Sequence, residues 1–288
     1  MYKELDDYKK VNNFKWLLMI FIEYWIIILA ITSSIYIDNV FYYLLVIIII
    51  WNRMEIIDEV VNHQALHYTL FSNKKNNELD ILFLPFFTTF KSYQKIHLNH
   101  HINVWKYKDI HVWLSREIYK IIDNPKNINS NKFYKFYLFI IRPLCWFFVF
   151  WTLKYIFSQI NIFSKDLQKL KILIFWFLLI ILWYFFNFLL EILLYWIIPF
   201  IYTRPIFFFY TAVAQHYWEN KYWTYNFDWF LSKYILSSYW ENWHWLHHYN
   251  MYIPCYNLEK FNKSEFNKSK DLCRKINIFS DFKYIIFK

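Results

Sequence analysis

The chain alternates long apolar runs with polar, Lys-rich stretches, and the lengths of the apolar runs set the first expectation. A helix needs about 20 mostly apolar residues to cross roughly 30 Å of hydrocarbon. Trp16 to Ile37 is apolar apart from Glu23 and predicts a first span. The next run begins at Val40 as VFYYLLVIIIIW and then acquires Arg53, Glu55, Asp58 and Glu59. That change predicts a second helix that leaves the membrane near Asp58 and continues into NHQALH. Residues 74–135 are polar and Lys-rich, interrupted by ILFLPFFTTF at 81–90, which is too short to span and is expected in the interface. FYKFYLFIIRPLCWFFVFWTLKYIF, at 133–157, is long enough to cross but carries Arg142-Pro143 near its middle. Ile172 to Ala214 is long enough for two spans, expected to turn near Glu191.

Nine of the ten histidines fall in or beside these boundaries with a regular spacing. NHQALH places His63 and His67 four apart, and KIHLNHH places His97, His100 and His101 at zero, three and four. ENWHWLHH repeats that spacing with His244, His247 and His248, and His216 stands in AVAQHYWEN just beyond the last apolar run. Residues three and four apart share one face of a helix, so each cluster can present its imidazoles in one direction. A lone histidine is more often structural or exposed. Three clusters at ligand spacing predict a shared metal site, and eight or nine nitrogens exceed what one ion takes, so two metals are expected. His111 has no partner at helical spacing and is read as a surface residue.

Clusters that share a site share a side of the membrane, so an even number of crossings separates residue 101 from residue 244. Three apolar candidates lie between them, and the Arg-Pro pair makes 133–157 the one expected to lie in the membrane plane. The result is an all-α integral membrane protein with about four transmembrane helices, interfacial helices and a histidine-bearing cap. It is expected to be a single domain over 1–288, with a tail from about 263 that is peripheral. The connector at Asp38 and the turn near Glu191 contain no Lys or Arg. The positive-inside rule therefore puts both termini and the histidine clusters on the cytoplasmic side. The N-terminal apolar segment is too long for a signal-peptide core and is read as a span that stays.

Composition adjusts this picture in three ways. A formal charge of +10 invites a nucleic-acid reading, but in a membrane chain excess Lys belongs to the cytoplasmic loops, and no nucleic-acid partner is expected. Cys145, Cys255 and Cys273 form no CxxC, which fits a reducing compartment and argues against a disulfide scaffold or a thiolate metal site. Aromatics make up 26% of the chain, enough to line an acyl tunnel, although interfacial belts of Trp and Tyr are the simpler use for them.

Metal-bound imidazoles usually donate their second ring N–H to a carboxylate or carbonyl. Glu59 sits one turn before His63, and Asp58, Glu219 and Glu241 lie near the clusters. All four are candidates for that support, and each is more simply read as a solvated charge at a helix end. Glu23, Asn187, Glu191 and Arg204 lie at or near membrane depth, where ionisable groups are functional candidates.

The HxxxH, HxxHH and HxxHH boxes resemble those of the membrane fatty acid desaturase superfamily. NHQALHYTLF followed by LFLPF is similar to the family's first box and its interfacial segment, and HLNHHIN to its second. AVAQHYWEN resembles the extra histidine ahead of box three, and HWLHHYNMYIPCYNLEKF the third box with its downstream segment. The resemblance covers about residues 15–262. It implies that His63, His67, His97, His100, His101, His216, His244, His247 and His248 hold two iron ions. It also implies O2 as co-substrate, a membrane acyl lipid as substrate and a separate ferredoxin or cytochrome b5-type electron donor. The related readings are a carotenoid ketolase or hydroxylase or a lipid hydroxylase with the same boxes, and, in another class, a non-catalytic metal-binding membrane protein.

The chain departs from that family at several points. Positions 68, 218 and 240 are commonly glycine there and are Tyr68, Trp218 and Trp240 here, and Gln215 stands where Glu is frequent. Bulky residues at those positions narrow a site or block close helix approach. The chain has no glycine and 16 tryptophans, as a glycine codon read as Trp would produce. Peptide mass spectrometry of the native protein showing Trp at 218 and 240 excludes that origin.

Overall fold

A computed structural model of the chain describes residues 6–103, 132–145, 147–159, 166–206 and 243–266. It is helical throughout, with no strand among the described residues. Among the described residues, four helices are long and apolar enough to cross a membrane. They are α1 (Asn13–Ile37), α2 (Val40–Leu66), α5 (Leu167–Phe185) and α6 (Leu189–Ile206). Between the two pairs lie α3 (Phe90–Asn103) and α4 (Phe147–Gln159), and after them α7 (His244–Tyr249) and α8 (Cys255–Phe261).

Short polar side chains decide where the spans start and stop. The Asn12 side chain accepts from the Lys15 N–H at 3.0 Å and opens α1. Asp38, in the left-handed region at φ 45°, closes it. Asn39 then caps α2 by accepting from the Phe41 and Tyr42 amides. An Asx-type cap next to a left-handed residue turns the chain within two positions, so α1 and α2 run antiparallel. The Asp166 side chain caps α5 by accepting from the Gln168 amide. The turn between α5 and α6 falls at 186–188, with Asn187 at φ 58°, so Glu191 lies inside α6 rather than at the turn.

The buried face of α1 consists of Trp16, Met19, Glu23, Ile27, Ala30 and Ser34, a strip at spacings of three and four. Leu17, Phe21, Trp25 and Ile28 are exposed on its other faces. On α5 only Ile172 and Trp176 are buried. Large apolar side chains turned outward all round a helix are expected where lipid replaces water as the surroundings. The Tyr195 hydroxyl donates to Ser34 Oγ at 2.9 Å, and the Tyr43 hydroxyl donates to the Leu194 carbonyl at 3.0 Å, tying α6 to the first pair.

The apolar insert at 81–90 forms two short 3₁₀ turns, Asp80–Leu82 and Leu84–Phe86. Phe83, Leu84, Phe86 and Phe87 are buried there. Trp176 donates its indole N–H to the Leu84 carbonyl, Trp196 donates to that of Pro85, and Phe87 stacks on Trp176 at 4.4 Å. The insert thus anchors α3 to α5 and α6. Within segment 133–157 helix stops at Leu144, Cys145 is extended, and helix runs again over α4 from Phe147. It is not among the candidate spans.

Candidate metal centre

Three elements bring the histidines together. His63 begins the last turn of α2, and His67 follows as the residue that caps its C-terminal end. α3 carries His97, His100 and His101, and α7 carries His244, His247 and His248. The helix ends are joined by polar side chains close to the imidazoles. Gln94 donates to the Leu66 carbonyl at 2.9 Å, fixing α3 against the end of α2. Gln64, between the two histidines of the first box, accepts from the Cys255 amide at 3.0 Å and from the Thr69 hydroxyl at 2.9 Å. The first box is thereby tied to the chain that follows the third.

The eight imidazoles sort into two nests. His63, His67, His97, His101 and His247 form one, and His100, His244 and His248 the other, with ligand atoms within 4.8 Å of one another in each. In the larger nest Nε2 atoms approach one another closely: His63 to His247 at 2.9 Å, His247 to His101 at 3.2 Å, His101 to His97 at 2.9 Å, and His97 to His67 at 2.7 Å. In the smaller nest His100 lies 3.3 Å from His248, and His248 3.0 Å from His244. The nests adjoin, with the His101 and His248 rings 4.3 Å apart.

These distances fit a metal ion better than a hydrogen-bond chain. A neutral imidazole carries one N–H and one lone pair, so five nitrogens converging on one point cannot all be paired among themselves. With metal–nitrogen bonds of about 2.1 Å, ligand nitrogens at right angles stand about 3.0 Å apart, which is the spacing found. Burial pushes His67, His97, His247 and His248 well below the usual imidazole range, and the neighbouring imidazoles push them further the same way. They are therefore neutral, the form that ligates metal. Either nest can hold a metal ion on this donor set.

One tautomer is fixed by the backbone. His63 Nδ1 lies 3.1 Å from the carbonyl oxygen of Glu59, which can only accept. Nδ1 must therefore carry the proton, leaving the Nε2 lone pair aimed at the nest. The sequence pointed to the Glu59 carboxylate, whereas its carbonyl does this work. The carboxylate instead accepts from the Tyr93 hydroxyl at 3.5 Å. Tyr93 packs one turn before His97, and burial together with the Glu59 charge holds its phenol well above the ordinary range.

Asp58 is not a solvated helix-end charge: it is buried, accepts from Asn62 Nδ2 at 3.2 Å and pairs with Arg204. Of the residues singled out from sequence, His111, His216, Glu219 and Glu241 lie outside the described residues, as do Gln215, Trp218, Trp240 and Cys273. Gln64, Tyr93 and Gln94 had been missed. Their only sequence mark was a polar side chain within one turn of a box histidine. A family model described as fatty acid desaturase matches residues 38–277. No curated protein and no solved structure matches the chain.

Proposed function

Since the chain belongs to the fatty acid desaturase family, we propose that it is an acyl-lipid desaturase with a di-iron centre. The observation that carries this reading is the division of eight box histidines into adjoining nests of five and three. The larger nest would hold one iron through His63, His67, His97, His101 and His247. The smaller would hold the other through His100, His244 and His248, with His216 the further ligand implied by its place ahead of the third box. Two bound irons supply the activation of O2 that hydrogen removal from an unactivated methylene requires. The overall reaction takes O2, two electrons, two protons and a –CH2–CH2– unit to –CH=CH– and two waters. Two of the four electrons come from the acyl chain and two from a separate donor of the ferredoxin or cytochrome b5 type.

The protein's own groups orient the ligands and exclude water. The Glu59 carbonyl holds His63 in one tautomer, and Gln64 and Gln94 hold the helix ends in register. His63, His67, His100, His244 and His247 are all buried, which keeps bulk water from the reacting position. The nests lie at the end of the apolar span α2, within reach of an acyl chain held in the bilayer. The two turns at the opposite ends of the spans, at Asp38 and at 186–188, contain no Lys or Arg. The positive-inside rule thus supports a cytoplasmic site and cytoplasmic termini.

Expression in a host of simple lipid profile, with fatty acid methyl esters analysed by gas chromatography–mass spectrometry, tests the proposal. A new unsaturated species that disappears in His247→Ala is expected. A hydroxylated lipid would move the chemistry to hydroxylation on the same centre. Iron-loaded protein that yields no product with either donor type added would overturn the enzymatic reading.

A further inference from the structure

The residues leading into α1 meet the helix that follows the third box. The Tyr256 hydroxyl on α8 accepts from the Asn12 amide at 2.7 Å and donates to the Lys10 carbonyl at 3.2 Å. Asn257 donates through Nδ2 to the Tyr8 carbonyl at 2.8 Å, and the Tyr8 hydroxyl donates to Ser264 Oγ at 2.9 Å. Between these two segments lies a cavity of about 550 Å³.

The charge around it is one-sided. Lys10, Lys15 and Lys260 line it against a single carboxylate, Asp7, which pairs with Lys10 at 2.6 Å. Lys15 carries its ammonium 4.2 Å over the Tyr256 ring, which fixes where that charge sits in the wall. Lys15 and Lys260 come from opposite ends of the sequence, and their like charges repel across the cavity. An anion between them relieves that repulsion and accepts charge-assisted hydrogen bonds from both. The Tyr256 hydroxyl and Asn257 Nδ2 are engaged in the frame, so ammonium groups are the chemistry the cavity presents to a ligand.

The cavity sits where the apolar span of α1 begins. Phe14, Leu17 and Leu18, in the first two turns of that helix, are exposed, a surface suited to acyl tails. On its inner side is packed core. Tyr256 meets the buried Trp16 at 5.5 Å, and the Trp16 indole N–H donates to the Thr69 carbonyl.

We propose that this cavity binds the phosphate of an anionic phospholipid headgroup, bridged by Lys15 of α1 and Lys260 of α8. Basic clusters beside a membrane span attract anionic lipids. A choline headgroup would bring a further cation among the lysines, whereas a phosphate carrying a glycerol headgroup brings negative charge alone. The bound lipid ties α8 to the start of the first span, at a site apart from the histidines.

The test uses the full-length chain in neutral detergent. Lipid adducts are counted by native mass spectrometry as phosphatidylglycerol or phosphatidylcholine of matched chains is titrated in, with inorganic phosphate in a parallel arm. Wild type should bind its first phosphatidylglycerol at least about 10-fold more tightly than its first phosphatidylcholine. Lys15→Gln with Lys260→Gln should weaken that first phosphatidylglycerol by about 10- to 30-fold, the loss expected for two lysines at a headgroup. Lys91→Gln with Lys95→Gln removes two exposed lysines from α3 and should leave it as in wild type. Melting of each lipid-free protein reports folding. Lys260→Gln alone, with a loss of about 5-fold, carries the test if the Lys15 change unfolds the chain. Equal affinity of wild type for the two lipids overturns the proposal, as does an equal loss in the two double variants. Inorganic phosphate that binds through Lys15 and Lys260, with no preference for phosphatidylglycerol, assigns the cavity to a soluble phosphate and overturns the lipid.

Discussion

Nε2 of His63 stands 2.9 Å from Nε2 of His247, although the two residues are 184 positions apart and on different helices. Two ring nitrogens at that distance, with the His63 proton committed to Nδ1, leave a lone pair facing His247 that a cation would satisfy. Metal binding should therefore stabilise the fold, because the unfolded chain has no such nest. At free metal 100 times the dissociation constant, linkage gives about 2.7 kcal/mol. The metal-loaded wild type should melt above the chelator-treated protein, and His63→Ala or His247→Ala should shrink that difference by the larger nest's share. Equal melting temperatures with and without metal in the wild type would count against the nest as a metal site.

The buried imidazoles also set a pH dependence for the metal-free protein. His67, His97, His247 and His248 are held well below the ordinary imidazole value in the folded state, whereas in the unfolded chain they titrate near 6.5. Above about pH 7 the rings are neutral in both states, and stability does not change on their account. Below about 6.5 the unfolded chain takes up protons that the folded chain still refuses, so stability falls as pH falls. Each ring can contribute up to about 1.4 kcal/mol per pH unit. Melting of the chelated protein from pH 8 to pH 5 should show a plateau and then a decline. A melting temperature that rises on acidification would contradict the burial of neutral rings.

Within the span, Glu23 on α1 is fully buried and lies 3.2 Å from Arg53 on α2. Removing one partner of a buried pair leaves the other charge uncompensated, at about 3–5 kcal/mol. Glu23→Ala should therefore destabilise the protein strongly, and Glu23→Met combined with Arg53→Met should be much milder than the sum of the single changes. Unfolding in detergent, followed by tryptophan fluorescence, gives the cycle. Additive losses in the double variant would mean that the two charges do not depend on each other.

The sequence made the spans and the histidine boxes legible because both are local patterns, one a run of apolar residues and the other a repeat of three and four. The Arg142-Pro143 pair set segment 133–157 apart in the same local way, although the break itself falls at Cys145 and was not expected. What pairs across the fold was not legible. Arg204 and Asp58 are 146 residues apart, and nothing near either one marks the other. The wide, π-helical turn at Ile57–Asn62 was hidden too, because nothing in its sequence separates a wide turn from a regular one. For the same reason the sequence directed attention to the Glu59 carboxylate when the carbonyl supports His63. The missing glycines leave a trace in the backbone: Asp38, Tyr68, Phe87 and Asn187 occupy the left-handed region among the described residues, and none of them is tryptophan. Reading a glycine codon as Trp therefore does not account for those four positions.

Tyr68, directly after the first box, shows what that absence costs. Its φ of 58° is a conformation that glycine reaches freely and a residue with a Cβ reaches at about 1–2 kcal/mol. The side chain offsets part of this: its hydroxyl donates to Glu78 at 3.0 Å and its ring meets Phe90 edge-on at 5.8 Å. Tyr68→Ala loses both contacts and keeps the backbone cost. Tyr68→Gly loses the same contacts and removes that cost, at the expense of a more flexible unfolded chain. Glycine should therefore be the more stable replacement by about 1 kcal/mol, the reverse of the order expected inside a helix. Melting the two variants side by side decides it. An alanine variant as stable as the glycine one would mean that the residue after His67 is not held in the left-handed conformation.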